Sequence, residues 1–170
     1  MRFALAFLVA VAACSQFTVR SDRDPDVDFS SYRTFGWLPL DIAPPADQQV
    51  PDRYIGRKVV QAIDEQLTDK GYAAASGTQP DLYVTYRLIQ AATTNVPLSY
   101  ARGYWALHAS PDTYDEGTLV IDVIAVKTNT LVWRGTASAR LLPTLPFDKA
   151  VARAQAAIAQ TFKTFPARTG

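Results

Sequence analysis

One cysteine, one histidine and one methionine occur in 170 residues. That scarcity excludes several classes at once. A disulfide needs two cysteines, so the folded chain forms none within itself and its core must hold without a covalent brace. A structural zinc site draws on several Cys and His ligands, and no metal is expected here. No G-x-S-x-G is present, and a nucleophilic triad would have only His108 as its base. No glycine-rich phosphate loop or G-x-G-x-x-G follows a strand pattern, so no nucleotide cofactor is expected. An excess of either charge is lacking too, with 17 Lys+Arg against 16 Asp+Glu, which excludes a basic nucleic-acid binder as a whole-chain property. Long apolar runs are missing as well. The longest, residues 3–13, falls far short of the roughly 20 residues a membrane-spanning helix requires.

What that short run does fit is the apolar core of a secretory signal. Arg2 supplies the positive charge in front, and Ala12 and Ala13 are the small residues a signal peptidase accepts. Val11-Ala12-Ala13-Cys14 resembles the bacterial lipobox, in which the cysteine is lipidated and becomes the first mature residue. The expected organisation is a signal at 1–13, a lipidated Cys14 with a short tether at 14–16, one domain over 17–166 and a tail at 167–170. Acyl chains contribute about 0.8 kcal/mol per buried methylene, so two or three of them hold a protein stably at a membrane. Ser15, where an aspartate would by analogy signal retention at the inner membrane, points to the outer membrane of a Gram-negative bacterium, facing the periplasm. Charge divides along the mature chain: residues 14–81 hold 7 basic and 11 acidic residues, residues 82–170 hold 9 and 5, and packing of the halves would cancel the difference.

The rest of the sequence alternates strand and helix periods. Residues 17–23 alternate weakly as a first strand, and Thr34–Leu38 is a short aromatic strand stopped by Pro39. Prolines at 39, 44, 45 and 51 make the next stretch a loop. Asp52 is placed to cap a helix whose stripe is Ile55, Val59, Ile63 and Leu67, with Gly71 at its exit. Asp81, after Pro80, is a turn residue able to accept backbone N–H groups, and 82–88 reads as a half-buried strand. Residues 90–117 read as a long loop. A strand from 119 to 126, a turn at Lys127-Thr128-Asn129 and a strand from 131 to 140 form a hairpin, with Leu131, Trp133, Gly135, Ala137 and Ala139 on its buried face. Val151, Ala154, Ile158, Phe162 and Phe165 mark a second helix ending before Pro166. The predicted fold is α+β in the order ββαβββα: about five strands in a mostly antiparallel twisted sheet, with two amphipathic helices on one face.

Three stretches carry a family resemblance. Asp28-Phe29-Ser30-Ser31-Tyr32-Arg33-Thr34-Phe35-Gly36-Trp37, then Lys70-Gly71-Tyr72 with Pro80-Asp81-Leu82-Tyr83-Val84, then Gly117–Asp122 with Leu131–Gly135, stand in that order and spacing. Together they resemble the bacterial lipoproteins called domain of unknown function 4136, over about residues 17–166. The resemblance implies a lipoprotein-borne α+β domain of the bacterial envelope, and it brings no activity, substrate or catalytic residue.

Candidate chemistry is sparse, and no catalytic residue is assigned. Asp22, Asp24, Asp26 and Asp28 have the alternate spacing of a calcium loop but lack its glycine and its closing glutamate. Asp64 and Glu65 read as surface acids. Asp122 interrupts an apolar strand and is expected to face solvent opposite Arg134 or Arg140 rather than to act as a catalytic carboxylate. The recognition candidates are Tyr100, Arg102, Tyr104, Trp105 and His108, because Tyr, Trp and Arg dominate binding hot spots. Their loop is either a recognition surface or a lid over an open end of the sheet. The function read from these features is a non-enzymatic, membrane-anchored adapter for an envelope protein or peptidoglycan, its oligomeric state open. Two alternatives remain: a carrier that holds a lipid or other apolar ligand between helices and sheet, and, less favoured, a hydrolase using His108 or Asp122.

Overall fold

The computed structural model describes residues 17–39, 53–95 and 112–168. Six strands and two helices follow in the order β1 (Thr18–Arg23), β2 (Thr34–Trp37), α1 (Arg53–Asp69), β3 (Ala73–Ala74), β4 (Leu82–Asn95), β5 (Asp112–Ala125), β6 (Thr130–Arg140) and α2 (Phe147–Phe162). All six strands belong to one sheet, ordered β1-β6-β5-β4-β2-β3. The α+β class and the two-helix layer stand as expected, and two details differ. The sheet has six strands rather than about five, and it is mixed: β2 pairs in parallel with both β3 and β4. The reason lies in the chain order. A helix separates β2 from the strands that flank it, and such a crossover delivers a parallel neighbour, whereas the tight turn after β5 delivers an antiparallel one.

Both helices cover the same sheet face. α1 buries Val59, Ala62, Ile63 and Leu67, the stripe its four-residue spacing sets up. It ends in a Schellman motif, with Gly71 N–H donating to Thr68 O, Tyr72 N–H to Leu67 O, and Gly71 at φ 89°. The chain's end locks onto that exit: Lys70 Nζ donates to Phe165 O, Tyr72 Oη to Pro166 O, and Arg168 N to Lys70 O. Asp52, the expected cap of α1, lies outside the described residues.

Under α2, Trp133 is fully buried against Phe162 and Phe165, with ring centroids at 5.3 and 5.0 Å. Gly135 makes this possible, since a Cβ there would overlap both the Trp133 ring and Thr161. At the other side of the sheet, Asp81 Oδ2 accepts from Arg33 N, Thr34 N and Thr34 Oγ1, stitching β2 to the start of β4. The expected turn acid is thus a long-range clamp.

Two further expectations need correction. The stretch 90–117 is not all loop: β4 and β5 pair continuously to Asn95↔Asp112, and only 96–111 lie outside the described residues. Leu131 does not share the buried face with Trp133. A register irregularity at Val123/Ile124 pairs Ile124 with Leu131 and Val123 with Trp133, so Leu131 turns to the open face and is 42% exposed. A β-bulge of this kind shifts one strand's alternation by a residue, which period-2 counting does not detect.

Candidate functional site

The residues singled out for recognition, Tyr100, Arg102, Tyr104, Trp105 and His108, lie outside the described residues, as does Cys14. What is described is their mount. Among the described residues, the pairing of β6 with β5 ends at Arg140, followed by one bond from Leu141 N to Asp115 O, and β2 pairs with β4 as far as Val84. The ends of β4 and β5 therefore form a two-stranded arm leading to that segment.

Asp122 stands on the open face as expected, with more partners than expected. Arg134 Nε donates to Oδ1 at 2.6 Å and Arg134 Nη2 to Oδ2 at 2.9 Å, while Arg87 Nη1 reaches Oδ2 at 2.7 Å from the other neighbouring strand. These hydrogen bonds to the carboxylate raise the pKa of Arg134, against the pull of burial. Both carboxylate oxygens are engaged by guanidinium donors, three bonds in all, which ties Asp122 to Arg134 and Arg87. It is an ion-pair hub across three strands. Arg140 pairs in register with Glu116 instead.

The other acids are also accounted for by structure. Asp24 Oδ1 accepts from Asp26 N, and Asp28 caps the 3-10 turn at Phe29–Ser31 through Ser30 N. These are local turn roles, and no cluster of three or more metal-ligating side chains occurs among the described residues. Asp64 is more than a surface acid: its Oδ1 accepts from Trp37 Nε1 at 3.0 Å. Burial pushes its carboxyl pKa up, the Trp37 bond opposes this, and neighbouring Glu65 adds to it.

A cavity lies elsewhere, where the sequence reading gave no residues. Between the helices and the sheet is a partly open groove of about 240 Å³. Its floor includes Leu88 and Leu119, α1 supplies Ile55 and Val59, and the segment after β6 closes one side with Leu141, Leu142 and Leu145. The groove exists because the remaining wall is built from small residues. Ala150, Ala154 and Ala157 on α2 face Gly117, Ala137 and Ala139 on the strands. Larger side chains on either side would close the space, as Trp133 and Phe162 do one layer along. The signal was in the sequence as alanines at helical spacing opposite alternating alanines, but each set alone reads as ordinary core.

Among the described residues, two that line the groove carry charge, Arg140 and Arg153. Arg153 Nη2 donates to Arg140 O at 3.0 Å, and its Cζ sits 5.6 Å from the Phe17 ring centroid. The groove thus offers an apolar interior with guanidinium-bearing side chains along its lining, near the point where the described chain begins. No described helix is long and apolar enough to cross a membrane.

Comparison with solved structures supports the fold. A PDZ domain protein from Parabacteroides distasonis superposes with a TM-score of 0.56 at 15% identity, over 91% of this chain and 37% of that one. This chain therefore spans little more than a third of that protein. Two structures of the PelC dodecamer from Paraburkholderia phytofirmans, one of them a point variant, align with TM-scores of 0.54 at 13% and 12% identity. They cover 90% and 89% of this chain and 99% of theirs. At such identities the likeness is one of fold alone. No curated protein matches the chain in sequence. The family model for a domain of unknown function, DUF4136, matches residues 19–167, and the chain belongs to that family.

Proposed function

We propose that this protein is an outer-membrane-anchored periplasmic lipoprotein whose domain holds the apolar chain of an amphiphile in the groove between its helices and its sheet. The observation that carries the reading is the groove's lining: among the described residues it is mostly aliphatic and alanine side chains with the Phe17 ring, and Arg140 and Arg153 are its charged members. Apolar interiors with a few placed polar groups are the usual form of small-ligand sites. An apolar cavity of about 150 Å³ already takes up benzene in an otherwise packed protein, and this one is larger. The guanidinium-bearing side chains favour a headgroup with negative charge, such as a carboxylate or phosphate. Anchoring through Cys14 fits this role, because only Ser15 and Gln16 separate it from Phe17, which lines the groove.

Titration with a fluorescent polyene fatty acid tests the reading. The parent protein should bind it saturably, and Ala154→Phe, which fills the groove from α2, should weaken binding at least tenfold while leaving the circular dichroism unchanged. No saturable binding by the parent, or equal binding by the variant, would remove the groove from the account.

A second reading is favoured by the two-stranded arm of β4 and β5. It leads along the chain to residues 96–111, which include Tyr100, Tyr104 and Trp105, and such a mount suits an adapter for an envelope protein or peptidoglycan. Crosslinking in intact envelopes, compared with the Tyr104→Ala, Trp105→Ala variant, tests it. A specific adduct lost in the variant supports the adapter role, and an unchanged pattern argues against it.

A further inference from the structure

Residues 141–147, running from the end of β6 to the first residue of α2, read Leu-Leu-Pro-Thr-Leu-Pro-Phe. Most such connections in a folded domain are polar, yet this one exposes its largest apolar side chains. Leu142 is 46% and Phe147 43% exposed, two of the four large apolar residues left open among the described residues. The segment is not a loose excursion. Leu141 N donates to Asp115 O at 2.7 Å and Leu145 N to Leu142 O at 2.9 Å, and Leu141, Leu142 and Leu145 form one wall of the groove. Two prolines restrict its backbone further. The exposed parts of Leu142 and Phe147 leave apolar surface facing water on a constrained connection.

Its surroundings say what covers it. Residues 140–153 contain three basic residues, Arg140, Lys149 and Arg153, and one acidic, Asp148. Basic side chains around exposed apolar ones match the interface of a bilayer, where aliphatic groups enter the acyl boundary and cations meet anionic headgroups. Arg153 also stacks over Phe17, so the segment lies at the end of the molecule where the N-terminal tether enters. From Phe17 back to Cys14 an extended chain spans at most about 11 Å.

We infer that residues 141–147 are a membrane-docking surface that inserts Leu142 and Phe147 into the bilayer carrying the anchor, turning the groove toward the lipid. This deepens the anchored-groove reading and rests on it for the tether. It commits to a lipid surface rather than a protein partner, because the tether confines this end to within a few residues of the bilayer.

The test uses protein purified from membranes and reconstituted into vesicles of phosphatidylethanolamine and phosphatidylglycerol, with lipidation of Cys14 checked by intact mass. An environment-sensitive dye is placed on Leu142→Cys or, as a control, on Thr128→Cys in the turn at the opposite end of β5 and β6. Lipids carrying a spin label on the acyl chain should quench the dye at 142 severalfold more than at 128. The same difference should persist when Ala154→Phe fills the groove. Equal quenching at the two positions overturns the docking surface, including the case in which position 142 is shielded instead by a second copy. Quenching at 142 that disappears in the groove-filled variant overturns it too, because the quencher then acted from inside the groove; the ligand reading would survive that result. Fatty-acid binding that fails while quenching at 142 persists would instead remove the groove reading and leave the docking surface.

Discussion

Replacing Asp122 with alanine removes the hub of the open face and leaves Arg87 and Arg134 beside each other without their shared partner. The carboxylate is nearly enclosed, its side chain 7% exposed, while the side chains of Arg87 and Arg134 are 21% and 42% exposed. Removing one partner of a fully buried ion pair costs about 3–5 kcal/mol because the other charge is stranded, whereas an exposed pair is worth about 0–1 kcal/mol. Here the stranded groups are the arginines, and both retain access to water. The expected loss therefore falls between these limits, at about 2–3 kcal/mol. For a protein of this size that lowers the melting temperature by about 4–12 °C. Asp122→Asn keeps an acceptor but not the charge and should lose roughly half as much. Added salt should stabilise the alanine variant more than the parent, because it screens two like charges in one and weakens an attraction in the other. Urea unfolding followed by circular dichroism at low and high salt reads all three. An alanine variant within about 0.5 kcal/mol of the parent, the usual range for surface substitutions, would show that the triad is a surface decoration and refute the argument.

Gly135→Ala should destabilise by about 1–3 kcal/mol, since overpacking forces neighbours off their rotamers; Thr161→Ser, which removes the overlapping methyl, should restore part of the loss in a double-mutant cycle. Burial raises the pKa of Asp81, but the bonds from Arg33 N, Thr34 N and Thr34 Oγ1 and the Arg33 charge outweigh it and hold the carboxyl below 3.8. A carboxyl depressed in the folded state contributes stability above its unfolded pKa and loses it as pH falls through the folded value. Asp81→Asn should therefore flatten the stability–pH curve below about pH 4, and an unchanged slope would contradict the clamp. Asp64, raised above 3.8 by burial, has the opposite sign: its contribution is greatest at low pH and declines as pH rises through the folded value. Asp64→Asn should remove that decline, read as a smaller fall in melting temperature between pH 4 and 6.

Much of this architecture was legible from residue order alone. The stripe from Ile55 to Leu67 with Gly71 at its end specifies a helix and its exit, because only that pattern buries one face and then needs a left-handed residue. Asp122 amid Ile121 and Val123 announced an open sheet face with a cationic neighbour. The parallel pairing of β2 was missed, although the helix between β2 and its neighbours is what produces it. The bulge that exposes Leu131 was not legible, since it depends on how β5 and β6 twist against each other. Nor was the groove, which is a relation between two alanine sets that meet only in three dimensions. The exposure of Leu142 and Phe147 was not legible either, because exposure is not a property of sequence.

The claim that the domain holds an amphiphile is tested most directly by native mass spectrometry of the full protein purified from the cells that express it, with lipid extraction of the same sample. The account predicts a bound mass in the range of a single- or double-chain amphiphile, carrying a carboxylate or phosphate, present in the parent and missing from Ala154→Phe. A parent that is repeatedly free of bound mass, or a mass retained unchanged in the groove-filled variant, would contradict it.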